Sequence, residues 1–567
     1  MPIINGAEII TTLLERQGVT IVPGIPGGAN LPLYDALAKS ALRHVLCRHE
    51  QGAAFVAQGL ARVTGVPGVC LATSGPGATN LVTGIADASM DSIPLVCLTG
   101  QVPRAMIGTD AFQEVDMAGV CAPVCKKAWR VESAAELVTV IPEAFSLAAS
   151  GRPGPVVVDV PRDVQTEIVN VKKWPEPGRP DKAPEACPGD IEKAARIINR
   201  AKRPILYIGG GAARSGACGH LLRIMEKAGI PAVQSLMGLG TVPANHPLCL
   251  GMLGMHASPW ANLALHECDA LIAVGARFDD RATGKVAAFC PDASVVHIDI
   301  DPGQIHKIKT AHVGINADAA SALSDLEPFL EKKTRVSWMA RICALRRLHA
   351  APEARPGSPR SIIRTAAALA GEDALIVTDV GQNQMWTARH YPFTRPGRFL
   401  TSGGLGTMGF GLPTAIGAAL AEPKTPVTLF CGDGGLLMNI QEMATAAESR
   451  ANVTVILFDN AGLGLVRQQQ DLFMGGRRFA TDYRAKVDFP AVARGFGWRV
   501  FDLQKGGDPA EVLAKAMGLR GPCLVRVPVD ASAAVYPMVP PGEANTRMIG
   551  ATLPVPEMRR AAAAAAV

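Results

Sequence analysis

The chain has 567 residues, enough for roughly three or four domains of about 150 residues each. Hydrophobic residues make up 48% of it, with 58 Gly and 43 Pro, a composition that favours a soluble α/β protein and excludes a disordered or fibrous one. The 56 basic and 50 acidic residues leave a net charge of +6 without a run of five like charges, so nucleic acid is not an expected partner.

The sequence also carries expectations about the compartment. The N-terminus has no basic segment leading into an apolar run, and no stretch of about 20 uninterrupted apolar residues follows, so neither secretion nor membrane insertion is expected. The 13 cysteines are scattered and form no C-x-x-C pair. This usage is typical of reduced thiols in a cytoplasmic protein.

Apolar runs of strand length, each followed by a turn and a helix-like stretch, recur along the chain. This alternation is typical of parallel α/β domains. In chain order the runs are 69–72, 95–99, 155–160, 204–208, 270–274, 294–300, 374–377, 427–430 and 453–458.

Two Pro-rich, charged stretches, 172–190 and 351–361, divide the runs into three groups. The simplest arrangement is three doubly wound parallel-sheet domains. We expect them at residues 1–171, 190–345 and 361–545, followed by a C-terminal tail at 546–567. The Ala-rich end of that tail, 559–567, reads as a frayed helix or a disordered segment.

A Gly-Asp-Gly-Gly sequence and a later asparagine follow two neighbouring apolar runs in the third group. Asp433 follows the first run, and Asn460 lies 27 residues further on, after the second. Open α/β sheets bind ligands at the carboxyl ends of their strands. Carboxylate and amide oxygens suit Mg²⁺, and Gly432, Gly434 and Gly435 let backbone N–H groups approach a diphosphate. The spacing predicts a magnesium–diphosphate site.

This pattern resembles the motif of enzymes that depend on thiamine diphosphate (ThDP), which reads G-D-G and then, at a comparable distance, N-N. The resemblance implies that Asp433, Asn460 and the backbone carbonyl of Gly462 bind Mg²⁺. Asp459 departs from the first N. The other cofactor-binding positions implied are Gly432, Gly434, Gly435, Gln382, Asn383, Gly406, Leu463, Leu465 and Met408, the last of which matches an apolar residue that holds the cofactor bent.

Glu50 matches the glutamate with which this family protonates the aminopyrimidine ring of ThDP. The cofactor acts as an electron sink once its thiazolium C2 has lost a proton. A carboxyl followed by the small, apolar stretch GAAFVAQGLAR can share a proton with a ring nitrogen. In the family the pyrimidine and the diphosphate are held by different subunits, so the resemblance implies a homodimer or a homotetramer.

Motifs along nearly the whole chain resemble acetohydroxyacid synthase catalytic subunits, also called acetolactate synthases, while the loop LVRQQQ at 465–470 is most similar to that of the bacterial isozyme I type. They include VPGIPGGANLPLYDAL, SGPGATNLVTGIADA, GARFDDRATGK and TSGGLGTMGFGLPTAIGAAL. The implied reaction decarboxylates pyruvate to a hydroxyethyl-ThDP carbanion, which attacks a second 2-ketoacid, pyruvate or 2-ketobutyrate. The products enter branched-chain amino-acid biosynthesis. The resemblance also implies a small regulatory subunit as a partner.

The resemblance also implies reaction-centre residues. Gly28, Phe112 and Gln113 match positions that line the centre, and Arg281 matches the arginine that receives the second substrate's carboxylate, a task suited to a guanidinium fork. The family binds FAD in its middle domain without net redox chemistry. The positions implied for FAD here are Arg152, Gly209, Gly210, Gly211, Met255, His256, Arg277, Asp299 and Asp318.

Three further positions depart from the family. Arg162 stands in place of a lysine, Asn383 in place of a histidine, and Gln469 in place of a tryptophan common in the second-substrate pocket. The loss of that indole predicts a weak preference for 2-ketobutyrate over pyruvate.

Three alternatives stay open. Another ThDP carboligase, such as glyoxylate carboligase, shares the fold, although Glu50 argues against it. A flavoenzyme resembling pyruvate oxidase would pass electrons to FAD. An inactive ThDP-fold protein would not need to retain Glu50, Asp433 and Asn460.

Overall fold

The computed structural model describes residues 3–350 and 353–551, so the tail end expected at 559–567 lies outside the described residues. The described chain packs as two compact units. Unit 1 contains the residues up to Lys182 together with Ala368–Gln384 and Leu400–Ala531. Unit 2 contains Ala183–Ala367, Met385–Phe399 and the residues from Ser532 onward. Within the described ranges, no helix is both long enough and apolar enough to cross a bilayer.

The first domain, in unit 1, is built on a six-stranded sheet and a separate two-stranded sheet. The strands of the domain are β1 (Ile3–Asn5), β2 (Ile21–Gly24), β3 (Arg43–Leu46), β4 (Gly68–Ala72), β5 (Leu95–Gln101), β6 (Ala128–Arg130), β7 (Pro155–Pro161) and β8 (Ile168–Asn170). Its helices are α1 (Gly6–Arg16), α2 (Leu31–Leu37), α3 (Glu50–Thr64), α4 (Pro76–Thr79), α5 (Val82–Asp91), α6 (Met117–Cys121), α7 (Ala134–Ala149) and α8 (Arg162–Thr166). The sheet order is β3-β2-β4-β5-β7-β6 with parallel pairing throughout, while β1 and β8 form a separate antiparallel pair.

The middle domain, in unit 2, repeats this plan. Its strands are β9 (Pro204–Ile208), β10 (Ala232–Gln234), β11 (Cys249–Met252), β12 (Ala270–Val274), β13 (Ser294–Asp299) and β14 (Val313–Asn316). Its helices are α9 (Pro188–Arg200), α10 (Gly210–Arg214), α11 (Cys218–Ala228), α12 (Pro259–Glu267), α13 (Asp280–Thr283), α14 (Ala319–Leu326) and α15 (Val336–Leu348). The strands are parallel neighbours in the order β11-β10-β9-β12-β13-β14.

The third domain contains a third sheet. Its strands are β15 (Leu375–Thr378), β16 (Phe399–Leu400), β17 (Val427–Gly432), β18 (Val453–Asp459), β19 (Arg499–Asp502) and β20 (Cys523–Pro528). Its helices are α16 (Pro359–Ala370), α17 (Gln382–His390), α18 (Gly411–Ala421), α19 (Asp433–Met438), α20 (Glu442–Ser449), α21 (Gly464–Phe473), α22 (Phe489–Gly495) and α23 (Pro509–Met517). The order is β16-β15-β17-β18-β20-β19, and β15-β17-β18-β20-β19 pair in parallel.

The central strands form because their apolar residues are covered on both faces. Strands β4, β5, β7, β9 and β12 are buried along their whole length, as continuous Val/Ile/Leu runs require in parallel sheets. The prediction of three doubly wound parallel-sheet domains is therefore confirmed. The second linker stretch, expected to reach residue 361, is shorter because α16 already begins at Pro359.

Within unit 1 the first and third domains join through two helices, α3 and α18. A Cβ on Gly59 would lie 2.3 Å from the carbonyl oxygen of Thr414, and one on Gly417 would lie 2.1 Å from that of Val56. The two helices therefore touch backbone to backbone. Both are buried for most of their length, and the parts of the two domains that they join form one compact unit.

Candidate functional site

The predicted diphosphate site lies where β17 and β18 end. Asp433 begins α19 and is buried; its Oδ1 accepts from the Gly434 N–H at 2.7 Å and its Oδ2 from the Gly462 N–H at 3.0 Å. Burial raises the pKa of Asp433 to about 6, against the lowering effect of these two N–H donors. The structure thus brings the G-D-G turn and the loop after Asn460 together.

Asn460 presents an unused acceptor beside this turn. Its Nδ2 donates to the Oε1 of Gln382 at 3.1 Å, whereas its buried Oδ1 has no hydrogen-bond partner. A buried carbonyl oxygen without a partner is costly unless a cation or water occupies its lone pairs. An amide oxygen, a carboxylate and a backbone carbonyl make a hard donor set, so the residues fit Mg²⁺. No cluster of three His, Cys, Asp or Glu side chains suited to a metal occurs in the part of the chain that the structure describes.

The loop that contains Gly462 forms backbone hydrogen bonds with a second loop further along the chain. Leu463 N–H donates to the Thr481 carbonyl at 2.8 Å, and Tyr483 N–H donates to the Ala461 carbonyl at 3.0 Å. Arg467, which is buried on α21, pairs with Asp482 at 2.6 Å. These contacts hold the backbone around Gly462 in one conformation, as a ligand carbonyl needs.

The departure at Asp459 has a structural partner. Its Oδ2 accepts from Nε of Arg526 on the neighbouring strand β20 at 2.6 Å. Arg526 therefore pairs the charge of Asp459, whose carboxylate also interacts with Asp433 and helps to raise the pKa of that residue. A second departure, Asn383, is buried and donates to the carbonyls of Asp379 at 2.7 Å and Phe430 at 3.1 Å. It braces the ends of β15 and β17.

The apolar residues expected at the cofactor surround Gly434. A Cβ there would lie 2.7 Å from Cδ2 of Leu463 and 3.2 Å from Cε of Met408, so these two side chains lie over the start of α19. Leu465 is half-buried on α21, and Gly406 is exposed with a φ of +69°. Gln469 is half-buried on the same helix as Leu465, next to the buried Gln468, which accepts from Gln382.

Glu50 lies at the start of α3 and only 8% of it is exposed. Its Oε2 accepts from Nδ2 of Asn80 at 2.9 Å. A Cβ on Gly77 would lie 3.1 Å from its Oε1, so this carboxylate oxygen lies against α4. Among the described residues, no hydrogen bond joins Glu50 to Asp433.

The segment 73–77 brings the other first-domain candidates towards Glu50. A Cβ on Gly27, next to Gly28, would lie 2.5 Å from Thr73, and one on Gly75 would lie 2.9 Å from the Cα of Gln113. Gln113 has a φ of +64°, a left-handed conformation that strains a non-glycine residue. Phe112 is 85% exposed, and Arg162 is exposed at the start of α8.

The FAD candidates of the middle domain gather at the carboxyl edge of its sheet. Gly209 follows β9, Met255 and His256 follow β11, Arg277 follows β12, and Asp299 ends β13. A Cβ on Gly209 would lie 2.0 Å from the Gly275 carbonyl, and the Gly211 N–H donates to that carbonyl at 3.1 Å. Gly210 is buried in α10. These glycines therefore let two strand-end loops pack backbone to backbone.

The remaining candidates have local partners. Asp318 caps α14 by accepting from the N–H groups of Ala320 and Ser321. His256 is buried with an unpartnered Nδ1, and burial together with Arg389 and Arg281 lowers its pKa to about 4. Arg281 is exposed and lies 3.5 Å from Asp280. Arg152, in unit 1, donates to the Ser92 hydroxyl and the Ser89 carbonyl, where it closes the end of α5.

Comparisons with known proteins identify the domains and the family of the chain. Residues 4–120, 191–326 and 379–527 match the N-terminal TPP binding domain, the central domain and the C-terminal TPP binding domain of thiamine pyrophosphate enzymes. The chain is 52% identical over 550 residues to the acetolactate synthase isozyme 1 large subunit of Escherichia coli K12, covering 96% of this chain and 98% of that protein. The chain belongs to the acetolactate synthase family.

Two other family members are less similar to this chain. The isozyme 2 large subunit of Escherichia coli K12 is 44% identical over 96% of this chain and 99% of its own, and the chloroplastic acetolactate synthase 1 of Nicotiana tabacum is 42% identical over 95% and 84%. The predicted resemblance to the isozyme I type is confirmed by the higher identity to isozyme 1. As an acetolactate synthase, the chain is a ThDP-dependent enzyme.

Several buried or half-buried side chains around the site of this acetolactate synthase carry no signal in the sequence. Asp379, after β15, accepts from the N–H groups of Gly409 and Gly411 and lies against Gly435. Asn80 holds Glu50, and Glu442 accepts from the Arg48 N–H at 3.0 Å. Their partners are distant in sequence, so no spacing rule could reveal them.

Proposed function

We propose that the enzyme binds ThDP through Mg²⁺ held by Asp433, Asn460 and the carbonyl of Gly462. The observation that carries this proposal is the buried, unpartnered Oδ1 of Asn460, which lies two residues before Gly462, the residue whose N–H donates to the Asp433 carboxylate. The glycines of the G-D-G turn would let the backbone N–H groups of α19 face the diphosphate, where the helix N-terminus favours negative charge.

The reaction that we propose joins two 2-ketoacids after loss of CO₂ from the first, which is pyruvate. Bound ThDP would supply an electron sink for the decarboxylation. Glu50 would hold and release a proton at the aminopyrimidine ring, since its Oε1 faces a glycine and its Oε2 is fixed by Asn80. Gln113, Gly28 and Phe112 would line the space where the ketoacids meet.

The protein would bind the second ketoacid through its carboxylate and would distinguish pyruvate from 2-ketobutyrate by the size of the alkyl group. Arg281 would receive the carboxylate, because its exposed guanidinium is not committed to a buried partner. Gln469 would leave room at the pocket wall, and its amide would favour a larger apolar substituent less than an indole would. We therefore propose a weak preference for 2-ketobutyrate over pyruvate.

Further properties belong to this proposal. FAD would bind at the carboxyl edge of the middle sheet, and the active form would be a homodimer or homotetramer in the cytoplasm. Several relatives are named as large subunits, which supports a small regulatory partner for this chain. Arg162 would supply positive charge where family members use lysine.

The experiment that tests the function is product identification. Purified enzyme is incubated with [2-¹³C]pyruvate, ThDP and Mg²⁺, with and without FAD, and products are followed by NMR, with Glu50→Gln as the inactive comparison. We expect 2-acetolactate without net flavin reduction. Acetaldehyde alone would refute carboligation, and stoichiometric bleaching of FAD under anaerobic conditions would favour a pyruvate oxidase-like flavoenzyme.

A further inference from the structure

Segment 401–408, which leads from β16 to Met408, is held by two carboxylates of the first domain. Asp87 and Asp91 lie on α5, and both side chains are fully buried. They belong to unit 1, as does the segment. Neither carboxylate takes part in the binding or proton transfer proposed above.

Asp87 binds the hydroxyl side chains of the segment. Its Oδ2 accepts from the Ser402 hydroxyl and, at 2.8 Å, from the Thr407 hydroxyl. The Ser402 hydroxyl also accepts from the Thr407 N–H at 2.9 Å. One carboxylate oxygen therefore closes the segment into a loop whose last fixed residue directly precedes Met408.

Asp91 binds the backbone of the same segment. Its Oδ2 accepts from the Gly403 N–H at 3.1 Å and its Oδ1 from the Gly404 N–H at 2.7 Å. A Cβ on Gly404 would lie 2.8 Å from Cβ of Met90, so the backbone of the segment lies directly on α5.

A single arginine joins both carboxylates to the segment. Arg62, with only 6% of its side chain exposed, lies 2.8 Å from Asp91 and 3.7 Å from Asp87. It also donates to the Thr401 carbonyl at 3.1 Å, and its guanidinium lies over the ring of Phe410, 5.0 Å from the centroid. In a buried setting such charge-assisted bonds are strong, and losing one partner leaves the others uncompensated.

The far side of Met408 is fixed independently by the third domain. Asp379 accepts from the N–H groups of Gly409 and Gly411. Met408 therefore stands between two anchors, Asp87 before it and Asp379 after it. Its Cε lies 3.2 Å from the Cβ position of Gly434, at the start of the helix proposed to face the diphosphate.

We propose that Asp87 and Asp91, together with Arg62, are positioning residues for cofactor binding: from the first domain they hold segment 401–408 so that Met408 stands over the ThDP site of the third. The proposal rests on the proposed function, because Met408 is assigned there to the cofactor. It makes the ThDP affinity of the third domain depend on side chains that touch no cofactor atom.

The test uses matched substitutions at Thr407. Thr407→Val keeps the shape and removes the hydroxyl that donates to Asp87, and Thr407→Ser restores a hydroxyl. We expect Thr407→Val to raise the half-saturating ThDP concentration about five- to tenfold, as loss of a hydrogen bond to a carboxylate would. kcat at saturating ThDP should stay within about twofold, and Thr407→Ser should bind ThDP like the wild type. Asp87→Asn, with the buried charge removed, should weaken binding in the same direction.

Thr425→Val is the control, because Thr425 donates to the carboxylate of Glu422 at 2.8 Å and touches no part of segment 401–408. ThDP binding is measured by fluorescence quenching and by the near-ultraviolet circular dichroism of the bound cofactor, beside the thermal midpoint. A Thr407→Val enzyme with wild-type ThDP affinity would overturn the proposal, with or without a lower midpoint. An equal loss in Thr425→Val would overturn it too, whereas a wild type that binds no ThDP would overturn the proposed function itself.

Discussion

The contact between Gly435 and Asp379 makes Gly435→Ala a sharp test of how the G-D-G turn is built. A Cβ at Gly435 would lie 2.2 Å from Oδ1 and 2.5 Å from Cγ of Asp379, which is too close for any real side chain. Asp379 cannot swing away freely, since it accepts from the N–H groups of Val380 at 2.8 Å, Gly411 at 2.8 Å and Gly409 at 3.1 Å. Either α19 or this carboxylate must move.

The expected cost follows from the bonds that Asp379 would lose. Two or three hydrogen bonds to a buried acceptor, at about 1–1.5 kcal/mol each, give a destabilisation of about 3 kcal/mol. Urea unfolding followed by tryptophan fluorescence measures this loss, and titration with ThDP measures the effect on the site. We expect Gly435→Ala to lower the unfolding midpoint clearly. We also expect it to weaken ThDP binding more than tenfold, since a loss of about 1.4 kcal/mol of binding free energy already changes the affinity tenfold.

Gly495→Ala is the matched control. Gly495 is also helical, but it is exposed and has open space around its Cβ position, so alanine should be neutral or stabilising by up to about 1 kcal/mol. Combining Gly435→Ala with Asp379→Ala should cost less than the sum of the two single changes, because the clash is then removed. Equal midpoints for Gly435→Ala and Gly495→Ala, or full additivity in the double variant, would refute the reasoning.

Three other predictions concern the metal, the second substrate and pH. Asn460→Ala should raise the Mg²⁺ concentration needed for half-maximal activity at least about tenfold, and an unchanged requirement would contradict its assignment as a ligand. Gln469→Trp should shift the product ratio towards 2-aceto-2-hydroxybutyrate when pyruvate and 2-ketobutyrate compete; the same ratio in both enzymes would rule out Gln469 as the determinant. Burial raises the pKa of Asp159 from 3.8 to about 7, so the native state binds more protons than the unfolded state and stability falls as pH rises between these values. Asp159→Asn should therefore gain stability relative to the wild type between pH 4 and 8, by at most about 4 kcal/mol in urea unfolding, whereas a constant difference would disprove the buried charge.

The main elements could be predicted because parallel strands buried on both faces read as continuous apolar runs. The run at 204–208 coincides with β9 and that at 270–274 with β12, while β5 extends two residues beyond its run, to Gln101. The antiparallel pair of β1 and β8 was not predicted. Both strands have only three residues, too few to show a period, and Ile168 and Asn170 of β8 are exposed.

The site could be predicted from the sequence where its residues lie in one short stretch, and it could not be predicted where they lie far apart along the chain. The spacing from Asp433 to the loop after Asn460 reflects two adjacent strands joined by helices, and the structure brings Asp433 and Gly462 into contact. Asp87, by contrast, meets Thr407 across 320 residues. Such a pair depends on how two domains dock, which no local pattern encodes.

The backbone contact between α3 and α18 also sets an order of events during synthesis. Helix α3 is apolar around most of its circumference, and its cover, α18, is encoded more than 300 residues later. Because domains emerge from the ribosome one after another, the face of this helix that packs on α18 stays uncovered until residues 411–421 have been made. A fragment that ends after the first domain would therefore expose an apolar, aggregation-prone surface. Because glycines let α3 and α18 pack backbone to backbone, the first domain can complete its packing only after the third domain has been synthesised.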